Sequence, residues 1–403
     1  SGAVRVGVRQ CGKCGGRVGH RCSRCRERLG RKRTIRKLDV IMKVDPWFKD
    51  RRAYNGLAEV VEWNGRRLRD EDVTRIRLAI AHTYGVEYGA ESTQAIIVAT
   101  AKQLTYHPVC DYLRGLLWDN VPRIDRFLHT HVGVEDTPLS RAISRRWFVS
   151  CVARAYGRGT NPVKVDQVLI LAGPQGAMKS TCFRTLASAP WFSDTAIDLR
   201  GRDCYQQIRG VWVYELAELS SVRPRDAETV KAFLSAPTDR YRPPYGRNVV
   251  ESHRQCVFVG TTNEAVFLSD PTGARRFHAV TVGEIDIPAI KRDRNMLWAE
   301  AAQAYRAGEN WWLSRDEDAQ LRTAQEQYRQ EDPWTVAIRE WLPSQSGGVV
   351  VADVLAQAVE MPTEKFGKQH EMRVSGILTS LGYTRRRVRV GNGKRVWRWV
   401  SDE

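Results

Sequence analysis

The residues best equipped for chemistry lie in one run, Gly173-Pro174-Gln175-Gly176-Ala177-Met178-Lys179-Ser180-Thr181. Two glycines followed by a lysine and two hydroxyls is the pattern of a loop that wraps phosphate groups. Backbone N–H groups and a helix N-terminus supply partial positive charge. Lys179 would neutralise the β- and γ-phosphates of a nucleotide, and the Ser180 hydroxyl would hold Mg²⁺. On this reading Gly173, Gln175, Gly176, Lys179, Ser180 and Thr181 form the cradle. Met178 stands where glycine usually eases the backbone turn before the lysine. The bland alternative is a Gly-rich strand-to-helix turn with no ligand.

Such a loop needs helpers further along the chain. The apolar run Val211–Tyr214 ends in Glu215, with Glu218 three residues later. A carboxylate closing a buried strand suits Mg²⁺ and an attacking water, so Glu215 is read as a magnesium ligand alongside Ser180. Asn263 follows the run Val257–Val259 and could orient that water. The tandem Arg275 and Arg276 suit stabilisation of phosphate charge, from the same subunit or a neighbour. Each is also compatible with a solvated surface role. Between these runs, Arg240, Tyr241, Arg242, Tyr245 and Arg247 interleave arginine with tyrosine around two prolines. That composition predicts a projecting loop or hairpin tip whose side chains track phosphates and stack on bases. Internal packing of the tyrosines is the alternative.

The elements that must position these residues follow from periodicity. A helical domain is expected over 53–160: after a mixed stretch, apolar spacing is helical from Asp70 to about Tyr156, with Val73, Ile76 and Ile80 and then Ala95, Ile96 and Ala99 at threes and fours, and with Asp70 and Ser92 as N-cap candidates. From Val165 to Gly283 short apolar runs alternate with helix-like stretches, the signature of a parallel sheet covered by helices, and 284–332 is helical and polar, giving a core over 161–332. Residues 333–403 suggest helices and an Arg-rich hairpin, Arg385–Val390 and Lys394–Val400. This is a winged-helix pattern, with Glu371–Leu381 as recognition helix and Arg385, Arg386, Arg387 and Arg389 near DNA phosphates. A basic domain that only caps its neighbour is the alternative. At the other end, Cys11-x2-Cys14 and Cys22-x2-Cys25 in residues 1–30 fit a small zinc knuckle of four thiolates, with His20 able to replace a ligand. A redox pair is the competing reading. Residues 31–52 read as a basic linker.

Charge supports this layout. The formal net charge is +18, with 17 Lys/Arg against four Asp/Glu in residues 1–52 and seven basic residues without an acid in 382–399. A near-neutral middle between two basic ends suggests nucleic-acid contacts flanking an enzyme core, or else a solvated face or an anionic membrane contact. No apolar run reaches the ~20 residues needed to span a bilayer, and no apolar stretch follows the N-terminal arginines. A cytoplasmic location, with no membrane partner, is therefore expected.

The ordered motifs GPQGAMKST, WVYELAEL, VKAFLSAPTDRYRPPYGR, VFVGTTN and TGARRF, with YHPVCDYL and WDNVPRID upstream, resemble the virulence-associated E family of phage and mobile-island proteins. The resemblance spans about residues 70–330. It implies an α/β P-loop AAA+ core of superfamily 3 type in an ATP-driven ring helicase, usually a hexamer, that replicates a phage or island genome in a bacterial host. It implies that Lys179 and Ser180 bind ATP and Mg²⁺, that Glu215 and Glu218 serve hydrolysis, that Asn263 is the sensor and that Arg275 or Arg276 is the finger. Single-stranded or forked DNA, further copies of the chain and a primase or other replication protein are the implied partners. A DNA-binding initiator whose nucleotide site only switches assembly is the alternative from another class. A packaging motor would carry a nuclease domain, and none is visible in the sequence.

Overall fold

The computed structural model describes residues 34–157, 161–199, 201, 203–217, 227–242, 249–263, 276–325, 328, 333–345, 348–389 and 395–401. Cys11, Cys14, His20, Cys22, Cys25, Glu218, Tyr245, Arg247 and Arg275 lie outside these residues, as does the side chain of Arg389. The chain divides into two units, one holding the described residues up to 325 and the other those from 328 onward.

The first unit opens with helix α1 (Ile35–Val44), capped by the Thr34 hydroxyl, which accepts a hydrogen bond from Lys37 N. Leu38, Ile41 and Met42 fall on one face of α1 and are buried against Val73, Ile76 and Ile80 of α2 (Asp70–Tyr84) and Ile97 and Ala101 of α3 (Ala90–Ala101). The expected basic linker over 31–52 is thus largely folded: its arginines and lysines flank an apolar stripe that burial rewards at about 25 cal/mol per Å². A small sheet of order β3-β2-β1-β4 joins these helices, formed by β1 (Arg52–Asn55), β2 (Val60–Trp63), β3 (Arg66–Arg67) and β4 (Thr105–Tyr106). Three of these strands lie in the mixed stretch before Asp70, inside the domain expected to be helical. Neither expected cap acts as one. Asp72 closes the first turn of α2 by accepting from Arg69 N at 2.9 Å, and Ser92 lies inside α3, whose N-cap is Gly89.

A second core begins near His107, well before the expected boundary at 160. Helices α4 (Pro108–Gly115), α5 (Phe127–Val132) and α6 (Pro138–Tyr156) belong to it, through buried residues such as Leu113, Phe127, Trp147 and Phe148. They surround a five-stranded sheet of β5 (Val168–Ala172), β6 (Phe192–Ser193), β7 (Val213–Ala217), β10 (Val257–Thr262) and β11 (Phe277–Thr281). The order is β11-β5-β10-β7-β6 and every pairing is parallel. The strand that leads into the lysine-bearing loop, β5, is thus flanked by the last two strands of the sheet, β10 and β11. Strand β5 is buried throughout, as a central parallel strand covered on both faces must be. Helix α7 (Lys179–Ala187) follows β5 and packs Cys182, Phe183 and Leu186 on the sheet. Helix α9 (Ile287–Arg306) brings Trp298 against Trp147, Phe148 and Trp212. Between β7 and β10 come α8 (Ala227–Ser235) and an antiparallel pair, β8 (Thr238–Tyr241) with β9 (Val250–His253). Helix α10 (Arg315–Gln325) closes the unit.

In the second unit α11 (Pro333–Trp341) and α12 (Lys368–Ser380) bury Ile338, Val374, Ile377 and Leu378 with Val354 and Leu355. Strands β12 (Tyr383–Arg389) and β13 (Arg395–Ser401) pair antiparallel from Tyr383↔Ser401 to Arg389↔Arg395. Val349 adds a third position by exchanging two 2.8 Å backbone hydrogen bonds with Trp399. Among the described residues no helix is long and apolar enough to cross a membrane.

Candidate functional site

The loop after β5 runs along the carboxyl edge of the parallel sheet, where ligands of open α/β sheets bind. Its first residue, Gly173, is held by its N–H donating to Thr262 O at 3.1 Å. A Cβ there would lie 2.6 Å from Val282 Cγ2, so any larger residue would have to push that side chain aside. Two later positions adopt left-handed backbone, Gly176 at φ +85° and Met178 at φ +60°, ψ 22°. Glycine does this freely; a methionine is strained by about 1–2 kcal/mol. Met178 thus takes the conformation that a glycine would supply, with its side chain exposed. It is also the N-cap of α7 and offers no side-chain hydrogen bond to the helix start. The first N–H groups of α7 remain free for an anion.

Lys179 is buried, and its ammonium donates to Gly173 O and Pro174 O at 2.8 Å each and to Asn263 Oδ1 at 2.9 Å. Burial lowers its pKa, and the nearby Glu215 carboxylate opposes that shift. Glu215 is itself buried. Its Oε1 accepts from Ser180 Oγ at 2.7 Å and from Thr261 Oγ1 at 2.6 Å, while Oε2 has no partner. Lys179, Ser180, Glu215 and Asn263, which are far apart in sequence, therefore meet at one point. Register explains how. Val259 pairs with Glu215 and Thr261 with Ala217, so by strand alternation Val257, Val259, Thr261 and Asn263 share a face with Val213 and Glu215. That face is apolar under α7 and turns polar at the level of the loop.

Two details differ from the sequence reading. Glu215 sits in the middle of β7, not at its end. Thr261, which the sequence reading passed over, is part of the site; its signal was the alternation Val257, Val259, Thr261, Asn263. Gln175 and Thr181 are exposed on the loop and on the first turn of α7.

Arg276 is not at this point. It precedes β11, whose Phe277 pairs with Val168 at the amino end of β5. Five residues at about 3.3 Å each then separate that edge from the loop. Its Nε donates to Ser235 Oγ at 3.0 Å and lies 4.0 Å from Asp166. Arg276 therefore lies at the opposite edge of the sheet from the loop of its own subunit.

The expected nucleic-acid loop is a hairpin, of which strands β8 and β9 are described. Arg240 is exposed, with only a 3.7 Å ion pair to Glu251, and Arg242 is exposed as well. Tyr241 turns inward: it is buried, stacks on Tyr205 at 5.7 Å and carries the Arg209 guanidinium 4.7 Å from its ring. The hairpin root is a buried ion pair, Arg254 with Asp239 at 2.5 Å. In the second unit Arg385, Arg386 and Arg387 are exposed on β12. No cluster of three metal-ligating side chains occurs among the described residues, and the four N-terminal cysteines lie outside them.

The geometry defines a class first: a mixed α/β protein built on a parallel sheet with a lysine-bearing loop at its carboxyl edge. Within that class the chain belongs to the virulence-associated protein E-like domain family, whose model matches residues 113–330, more than half its length. No curated protein matches it. Among solved structures, the apo C-terminal region of NrS-1 is similar at a TM-score of 0.46 and 11% identity, covering 87% of this chain and 95% of that one. Its A form gives 0.47 and 11%, covering 87% and 96%. RuvB of Thermotoga maritima, in a mutant form, gives 0.25 and 13%, covering 66% and 93%. At these TM-scores the classification rests on the family match.

Proposed function

We propose that the chain is an ATP-hydrolysing DNA helicase or translocase, a superfamily 3-like AAA+ core that works as an oligomeric ring, hexameric by the family resemblance, in phage or mobile-element replication. One observation carries the reading: Lys179, Ser180, Glu215 and Asn263 converge where the loop leaves the parallel sheet. The residues suit ATP with Mg²⁺. The N–H groups at the start of α7 are available to an anion, and the unpartnered Oε2 of Glu215 is a buried acceptor beside the Ser180 hydroxyl. Mg²⁺ in such a site neutralises phosphate charge. Ser180 and Glu215 would hold it, Lys179 would move from Asn263 to the phosphates, and Asn263 so released would orient the attacking water. Glu218 remains the second candidate carboxylate, and Arg275 the candidate finger of a neighbouring subunit.

DNA enters this reading at two places, the hairpin bearing Arg240 and Arg242 and the β12–β13 wing of a winged-helix second unit. Zinc on Cys11, Cys14, Cys22 and Cys25 would fold the N-terminal segment, as chelator-releasable stoichiometric zinc lost in Cys14→Ser would show. The decisive assay measures ATP hydrolysis and particle size with and without forked DNA. DNA-stimulated turnover that disappears in Lys179→Ala is the expected result. The strained Met178 favours a second reading, an initiator whose site switches assembly. ATP-dependent assembly without turnover in the wild type would establish it and end the helicase proposal.

A further inference from the structure

The β12–β13 hairpin carries a feature that the phosphate contacts of a wing do not use. Directly paired residues share a face, so Tyr383, Arg385 and Arg387 lie on the same side as Ser401, Trp399 and Trp397. That side begins in the core, where Tyr383 and Trp399 pack. Two residues further on, it emerges with the Trp397 indole 49% exposed. The Arg385 and Arg387 guanidiniums lie 5.2 and 5.3 Å from the Trp397 ring centroid. Among the described residues no carboxylate pairs with either arginine. Two cations thus lie over an aromatic ring that is half in water.

Resting on the nucleic-acid reading above, we propose that Trp397 is a stacking platform for an unpaired nucleobase, with Arg385 and Arg387 taking the phosphates on either side. The chemistry selects that ligand. Once Arg385 and Arg387, which lie over the ring, swing out to phosphates, the half-exposed indole offers a π-face that any base can cover whatever its sequence. The cations need anions on both sides of that face, and a single strand supplies an anion on each side of every base. In a closed duplex each base face is already covered by its neighbours, so only the arginines can engage. The wing therefore binds single strands and the unpaired arm of a fork in preference to blunt duplex.

The test uses the full chain and three fluorescein-labelled probes: an oligo-dT, a fork and a blunt duplex, each titrated over a range of salt. Trp397→Ala is expected to weaken oligo-dT and fork binding by about 5- to 150-fold, the range for losing one stacked base. It should leave duplex binding within about twofold and the salt slope unchanged, since no phosphate contact is lost. Trp397→Phe should retain most of the affinity. Arg387→Gln should weaken all three probes and lower the salt slope by about one. Trp397→Ala binding every probe like the wild type, or losing duplex and single strand equally, overturns the proposal while leaving DNA binding intact. Wild-type protein that binds no probe overturns the DNA reading itself, and this proposal with it. Should Trp397→Ala fail to fold, Trp397→Leu decides: it fills the site without a π-face and must show the same selective loss.

Discussion

Replacing Glu215 with glutamine separates folding from chemistry at the candidate site. The carboxylate accepts both of its hydrogen bonds on Oε1, from Ser180 and Thr261, and none on Oε2. An amide whose oxygen takes the Oε1 position keeps both bonds and places its NH₂ at the bare oxygen. Volume is conserved and only the charge is lost. Loss of the anion near the buried Lys179 ammonium and the unpaired amide N–H groups offset the relief of removing a partly unpaired charge, so Glu215→Gln should melt within about 4 °C of the wild type and above Glu215→Ala. Glu215→Ala, by contrast, leaves two hydroxyls without an acceptor, at about 1–3 kcal/mol each, and should melt lower. Turnover should fall by about 10²–10⁴-fold in Glu215→Gln, the range for losing a positioned catalytic group. Nucleotide affinity should stay within about tenfold, or 1.4 kcal/mol, because Lys179 and the loop are untouched. The same substitution removes the anion that opposes the downward shift of Lys179. Affinity in Glu215→Gln should therefore begin to fall at a lower pH than in the wild type, as the ammonium loses its proton sooner. Fluorescent-nucleotide titration, phosphate release and thermal melts on the three proteins read all of this. A Glu215→Gln protein that keeps more than a tenth of wild-type turnover, or that melts as low as Glu215→Ala, would refute the assignment.

Three further substitutions probe the frame around the site. Met178→Gly relieves about 1–2 kcal/mol of left-handed strain but frees the unfolded chain by about 0.4–1 kcal/mol; turnover should stay within about threefold, and a tenfold gain would show that the methionine obstructs the loop. Glu59 accepts from Ser252 Oγ at 2.5 Å and pairs with Arg209 at 2.9 Å; Glu59→Ala should retain basal hydrolysis and lose its DNA stimulation, whereas equal loss of both would place Glu59 in overall stability instead. Glu300 accepts from Arg123 N at 2.6 Å and Ile124 N at 3.0 Å, and burial raises its pKa. The folded state therefore holds this proton more tightly: the contribution is complete below the unfolded value of about 4.3 and is lost as pH rises through the folded one. Wild type should thus gain stability relative to Glu300→Gln on acidification from about pH 7, and parallel melting curves would contradict this.

The phosphate loop was legible because its geometry is local: strand, glycines, lysine and helix are consecutive in the chain. Glu215 and Asn263 were legible because each sits in or just after an apolar run, although mid-strand and strand-end positions look alike in such a run. Thr261 was hidden among hydroxyls, and only the register with β7 shows that it aims at Glu215. Arg276 and Tyr241 have partners that the sequence alone does not show. A basic or aromatic side chain reads as a ligand contact unless its partner is known, and here the partners, Ser235 and Tyr205, are 41 and 36 positions away. Helix α1 was missed because its lysines and arginines dominate composition, while its core face needs only Leu38, Ile41 and Met42.

The hairpin root joins these scales. Strand β9 ends at His253 and β10 begins at Val257, and the residue after β10 is Asn263, on Lys179. In the short link between the two strands, Arg254 and Gln255 are both buried and polar. Arg254 grips Asp239 of β8 and Phe233 O. Gln255 donates to Gly56 O at 3.0 Å and meets His107 Nε2 at 2.5 Å. Apolar side chains would fill this space with less risk, since a buried polar group is costly whenever a bond is missed. What a satisfied network adds is a single geometry. Under the proposed function, the hairpin must report a change at Asn263 through one short strand, and a root free to slide would absorb that movement. Bonds to β8, to α8 and to the N-terminal sheet region hold it on three sides and tie β10 to the hairpin.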